Sequence, residues 1–71
     1  MKTSTVNYEK RNADVFKVRS TIEYIAKTAN TKQEAVNRLS DILPKELKLG
    51  FGGCHVWCSN QNNERLFIIY F

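Results

Sequence analysis

Two cysteines, one histidine, one proline and three glycines are all that this 71-residue chain has of the residue types that most often build staples, metal sites and phosphate loops. Each shortage excludes something. Cys54 and Cys58 fall on one predicted strand, where four residues of rise separate them by about 13 Å, too far for a disulfide. Reduced, packed thiols are expected, consistent with a cytoplasmic location. A structural zinc site wants four ligands, whereas Cys54, His55 and Cys58 offer three, with His55 on the opposite side of the strand. No metal and no cofactor are expected. Gly50, Gly52 and Gly53 make no phosphate-binding fingerprint, because no Lys-Ser or Lys-Thr pair follows at the required spacing.

Long apolar runs are also missing. No stretch approaches the eighteen or so residues that a membrane span requires, and residues 1–6 contain no hydrophobic segment resembling a secretory signal. Membrane partners are therefore not expected. Catalytic pairings are equally scarce: Glu34, Asp41, Glu46 and Glu64 fall at caps or polar positions, and adjacent strand residues such as Cys54 and His55 point apart and cannot form a nucleophile–base dyad. Enzyme activity is not expected.

What the chain has is an ordinary globular balance, 42% hydrophobic and 25% charged, with a formal net charge of +4. One small domain, residues 1–71, follows from that length, and so small a core gains from a partner. The positive charge permits a nucleic-acid reading in which Lys10, Arg11, Lys17 and Arg19 meet phosphates while Trp57 or Tyr70 stacks on bases. Against it, Lys17 and Arg19 would lie about 200° apart on a helix and form no single basic stripe.

Hydrophobic spacing supplies the elements. Thr, Val and Tyr between Thr3 and Tyr8 favour an edge strand or arm within residues 1–11. Asn12 or Asp14 can cap a helix over 14–29, whose stripe is Val15, Val18, Ile22, Ile25 and Ala29. Asn30 suits a left-handed helix end, and Thr31 with Glu34 forms a capping box for a second helix over 32–43. Its stripe is Ala35, Val36, Leu39, Ile42 and Leu43, and Pro44 ends it. Residues 45–49 suggest one more helical turn before a glycine-dependent reversal at 51–53. A β-hairpin of 54–59 and 64–71 then closes an α+β fold of order (β)ααββ, two helices packed on one face of a small antiparallel sheet.

The second hairpin strand is apolar on both sides, which a one-sided sheet does not require. A turn centred between Gln61 and Asn62 places Trp57 opposite Leu66, His55 opposite Ile68 and Gly53 opposite Tyr70. Cys54, Val56, Cys58, Phe67, Ile69 and Phe71 then floor the helices. His55, Trp57, Leu66, Ile68 and Tyr70 share the other face, which no helix clearly covers unless the N-terminal arm folds across it. That face is the expected binding surface for a protein or short peptide, or for a second copy in a homodimer, as in an adaptor or a small regulator or inhibitor.

The helix pair, the Phe51-to-Val56 segment with its Gly-Gly, the Leu66-to-Phe71 run and Asn12-Ala13-Asp14 together resemble the dynein light chain family of the dimeric, peptide-binding type. That resemblance implies a subunit interface at His55 and a peptide groove lined by Ile68 and Tyr70. The departures are specific: Cys54 stands where the family has Trp, 60–64 is too short for the family's exchanged strand, and its final strand has no counterpart.

Overall fold

In the computed structural model, which describes residues 4–71, the chain runs β1 (Thr5–Tyr8), α1 (Ala13–Lys17), α2 (Arg19–Thr28), α3 (Lys32–Ile42), β2 (Lys48–Phe51), β3 (His55–Ser59) and β4 (Arg65–Tyr70). The fold is α+β, as the spacing implied. Its four strands form one antiparallel sheet in the order β1-β4-β3-β2. Residues 1–3 of the expected arm lie outside the described residues.

The helices begin where side chains can satisfy free backbone amides. Asn12 Oδ1 accepts from the Asp14 and Val15 amides at 2.9 and 3.2 Å, so Asn12, rather than Asp14, is the cap of α1. Thr31 Oγ1 accepts from the Glu34 amide at 3.0 Å at the start of α3. Each such cap stabilises its helix by about 1 kcal/mol. The single helix expected over 14–29 is instead two. At Val18 the backbone turns to φ −111°, and its N–H bonds the Val15 carbonyl, three residues back, in a tightened turn. The stripe survives the break: Val15, Ile22, Ile25 and Ala29 are buried, and Val18, at the break itself, is partly buried against the same core.

Two expectations about backbone geometry are corrected. Among the described residues the non-glycine position with positive φ is Asn63, in the β3–β4 turn, and not Asn30. None of the glycines has positive φ either, so the reversal after β2 does not depend on left-handed glycine. The larger correction concerns the helical turn expected over 45–49: the Leu47 amide bonds the Pro44 carbonyl at 3.1 Å in a turn, but Lys48–Phe51 form an edge strand. Pro44 does stop α3, with Leu43 extended at φ −104° and ψ 151°.

Every buried hydrophobic residue of the helices packs against one side of the sheet. Val56, Cys58, Phe67 and Ile69 supply the floor of that core, and Val6, Tyr8 and Leu49 pack at its margin. β1 continues the sheet beside β4 and does not fold across the other side.

Candidate functional site

The outer side of the sheet carries the expected residues in two rows, set by the strand register. Asn7, Ile68, Trp57 and Gly50 are successive partners across β1, β4, β3 and β2. Thr5, Tyr70 and His55 make the next row, and Gly52 follows just past the end of β2. The hairpin register is two residues away from the expected one: His55 pairs with Tyr70 and Trp57 with Ile68. Because side chains alternate with period two, a shift of two leaves each residue on its expected face.

Leu66 is the exception. Cys58 pairs with Phe67, but the next residue, Ser59, pairs with Arg65, so Leu66 is the extra residue of a β-bulge. Bulges re-aim side chains. Leu66 is 1% exposed and joins the helix-side core, while its carbonyl accepts from the Glu9 and Lys10 amides at 2.8 and 3.2 Å. It therefore offers no contact area on the outer face, contrary to expectation.

Ile68 shows how that face is built. It is 2% exposed, yet of all the buried hydrophobic residues described it alone lies outside the main core cluster. No helix reaches it. It stands between Asn7 of β1 and Trp57 of β3 on the outer face, where two aromatic rings lie down over glycines on the β2 side. A Cβ placed on Gly50 would come 2.5 Å from Cζ2 of Trp57, and one placed on Gly52 would come 2.7 Å from Nε2 of His55. Neither glycine can carry a side chain without displacing a ring. The His55 ring sits 5.5 Å from that of Trp57 and 6.2 Å from that of Tyr70, both tilted, within the usual range of aromatic pairs. The result is a continuous platform of Trp57, His55 and Tyr70, with Tyr70 44% exposed.

Charge is nearly absent from the platform. Lys48 and Arg65, in the row of Ser59, put charge at one end of the face only; Lys48 Nζ donates to Asn63 Oδ1 at 3.1 Å, and Arg65 is paired with Glu9 at 3.0 Å. The four cationic residues weighed for nucleic acid do not join it. Lys10 pairs with Glu64 at 2.8 Å, and Arg19 pairs with Glu23 at 3.2 Å and lies 5.3 Å from the Tyr8 ring. The Lys10 partnership, with help from Asn60, holds the Glu64 carboxyl below the usual range. Arg11 rests over the Phe16 ring, and Lys17 ends α1. Lys10, Arg11 and Arg19 converge on a groove on the helix side of the sheet, away from the platform.

The remaining chemistry is structural. Cys58 is buried, and desolvation pushes its thiol up to about 11, whereas Cys54, expected as a packed thiol on the helix-side floor, precedes β3 and is exposed. Among the described residues no three His, Cys, Asp or Glu side chains come together as a metal-binding group. Lys32, at the start of α3, donates to the carbonyls of Gly52 (2.6 Å) and Gly53 and fixes the β2–β3 turn on which His55 rests. The roles of Gly50, Gly52 and Lys32 were not foreseen. Alternate glycines preceding an aromatic strand were the available signal, since a ring can cross a strand only where a side chain is missing. Comparison with family models, with curated proteins and with solved structures finds no match. No helix among the described residues is long and apolar enough to cross a membrane.

Proposed function

We propose that this chain is a non-enzymatic protein-interaction module whose contact surface is the outer sheet face, with Trp57, His55 and Tyr70 as anchors on Ile68. The observation that carries the reading is the burial of Ile68 outside the helix-covered core. That apolar residue shares its face with exposed or half-exposed aromatic side chains, the residue types enriched at protein contacts. The absence of Lys and Arg from the two rows that hold the aromatic anchors favours an equally apolar partner over a polyanion, which would need unpaired cations among them.

Size decides how tight the contact is. Four strands about 4.8 Å apart, with four to six residues of about 3.3 Å rise, give a flat face on the order of 300 Å². That is below the roughly 800 Å² per partner of a standard interface, so association through this face alone is weak. The free edge of β2 lies beside it. A strand added to β2 would gain main-chain hydrogen bonds and meet the Trp57 indole, which already reaches across Gly50.

A second copy is the simplest occupant, because the two anchor rows carry no Lys, Arg, Asp or Glu and meet their own image without repulsion between like charges. The dimeric arrangement implied by the resemblance to dynein light chains is one form of this reading, with Ile68 and Tyr70 under the bound segment. The test is sedimentation equilibrium of the wild type and Tyr70→Asp. A concentration-dependent mass, with a dissociation constant on the order of 100 μM or weaker, is expected for the wild type. The variant is expected to stay monomeric with an unchanged circular dichroism spectrum. An unchanged association in Tyr70→Asp would remove the platform from the interface.

A further inference from the structure

The helix side of the sheet holds a second feature that the platform does not use. Where β1 leaves the sheet and α1 begins, Tyr8, Val15 and Phe16 wall a groove of about 350 Å³, rimmed by Lys10, Arg11 and Arg19. Phe16 is 56% exposed although it sits on a helix with a buried stripe available. Two guanidiniums flank its ring, Arg11 at 5.6 Å and Arg19 at 5.9 Å from the centroid, and Arg19 also lies 5.3 Å from the Tyr8 ring. The aromatic wall and the cationic rim are thus one assembly.

The rim's charges are not equivalent. Lys10 is paired with Glu64 and Arg19 with Glu23, and the groove's own carboxylate, Glu9, is paired with Arg65. Among the described residues no carboxylate lies within ion-pair distance of Arg11. One guanidinium therefore keeps its full charge at the mouth of an apolar slot. Its planar donors suit a carboxylate, which it can bind through two parallel hydrogen bonds. The slot is at the small end of ligand-site volumes and has room for one bulky side chain.

We infer that this groove docks a peptide segment of a partner protein in which an Asp or Glu, held by Arg11, neighbours a bulky apolar residue packed on Phe16 and Tyr8. A nucleic-acid strand fits less well. Its regularly spaced phosphates reward a row of unpaired cations, whereas two of the three here are already neutralised.

The test is selection of the full chain against a phage-displayed pool of randomised peptides about twelve residues long, followed by binding of synthetic copies. Recovered peptides are expected to place Asp or Glu within about three residues of Phe, Leu, Trp or Tyr. Their binding is expected to fall about five-fold or more in Arg11→Gln and in Phe16→Ser, and by a similar factor on raising salt from about 50 to 500 mM. Both positions are exposed, so retained amide spectra verify the fold of each variant. Tyr70→Asp should bind these peptides as the wild type does, which separates this site from the platform. Recovered peptides without acidic enrichment, or binding unchanged in Arg11→Gln, would overturn the inference. So would an oligothymidylate that displaces the peptides and shifts the amides of residues 8–19 more strongly than they do.

Discussion

The two sides of the sheet bury apolar side chains by opposite means. On the helix side, Val56, Cys58, Phe67 and Ile69 are sealed by three helices whose stripes carry aliphatic residues and alanines. On the outer side Ile68 is buried without a helix, on a face whose aromatic rings lie across two glycines. The first arrangement leaves none of that floor for a partner. The second leaves aromatic surface exposed while still satisfying the sheet, so a face without a layer of helix is not an unfinished core.

The contrast breaks first, and hardest, at Ile69 and Ile68, adjacent residues that face opposite sides. Ile69→Asp puts an unpaired charge into the core, with an expected cost above about 4 kcal/mol and loss of the folded amide spectrum. Truncation is gentler and more discriminating. Ile69→Ala should cost about 3–5 kcal/mol in urea unfolding, and Ile68→Ala about 2 kcal/mol, because side chains of a face without helices can settle into the space whereas the packed helices cannot. Equal costs would show that the outer cover is as rigid as the inner one.

Gly50→Ala sharpens the same comparison from the cover's side. The added methyl takes the place of the Trp57 ring, with an expected loss of about 1–3 kcal/mol and a red-shifted tryptophan emission as the indole moves into water. An unshifted spectrum would mean that the ring does not lie where the close approach puts it.

Alkali should act on the helix side alone. Burial, reinforced by the hydrogen bond to Glu23, raises the Tyr8 hydroxyl from 10.0 to about 12, and burial raises Cys58 from 9.0 to about 11. For both groups the unfolded chain gives up its proton at lower pH than the folded one. Their contribution to stability is therefore complete below about pH 9, and is lost for Cys58 between 9 and 11 and for Tyr8 between 10 and 12. Tyr8→Phe should flatten the upper part of the decline in stability. A thiol reagent at neutral pH should label Cys54 and spare Cys58 until the protein unfolds. The smallest effect belongs to Tyr70→Asp, within about 0.5 kcal/mol of wild-type stability because the side chain is already solvated.

Much of the architecture was legible from residue spacing. The stripes over α1, α2 and α3 hold because each apolar residue at three- or four-residue intervals finds the same core, and Asn12, Thr31 and Pro44 mark boundaries through local backbone chemistry. Assignment of the strand faces survived a register error because the error was two residues, a whole period. The failures have a different origin. β2 was hidden because Gly50 reads as a breaker until Trp57 is known to cover it, and that pairing is long-range. The bulge at Leu66 removed one expected site residue, and nothing in an unbroken apolar run marks which residue is the extra one. Likewise, the meeting of Lys10, Arg11 and Arg19 depends on how β1 enters α1, which charge spacing along the chain does not record.

The most direct measurement is a series of amide and indole NMR spectra of the wild type from about 20 μM to 1 mM, a range that brackets the weak association expected of so small a face. The account requires shifts that grow with concentration at Trp57, His55, Tyr70 and along β2, with α1, α2 and α3 unmoved. Shifts confined to the helices, or spectra identical across the series, would contradict it.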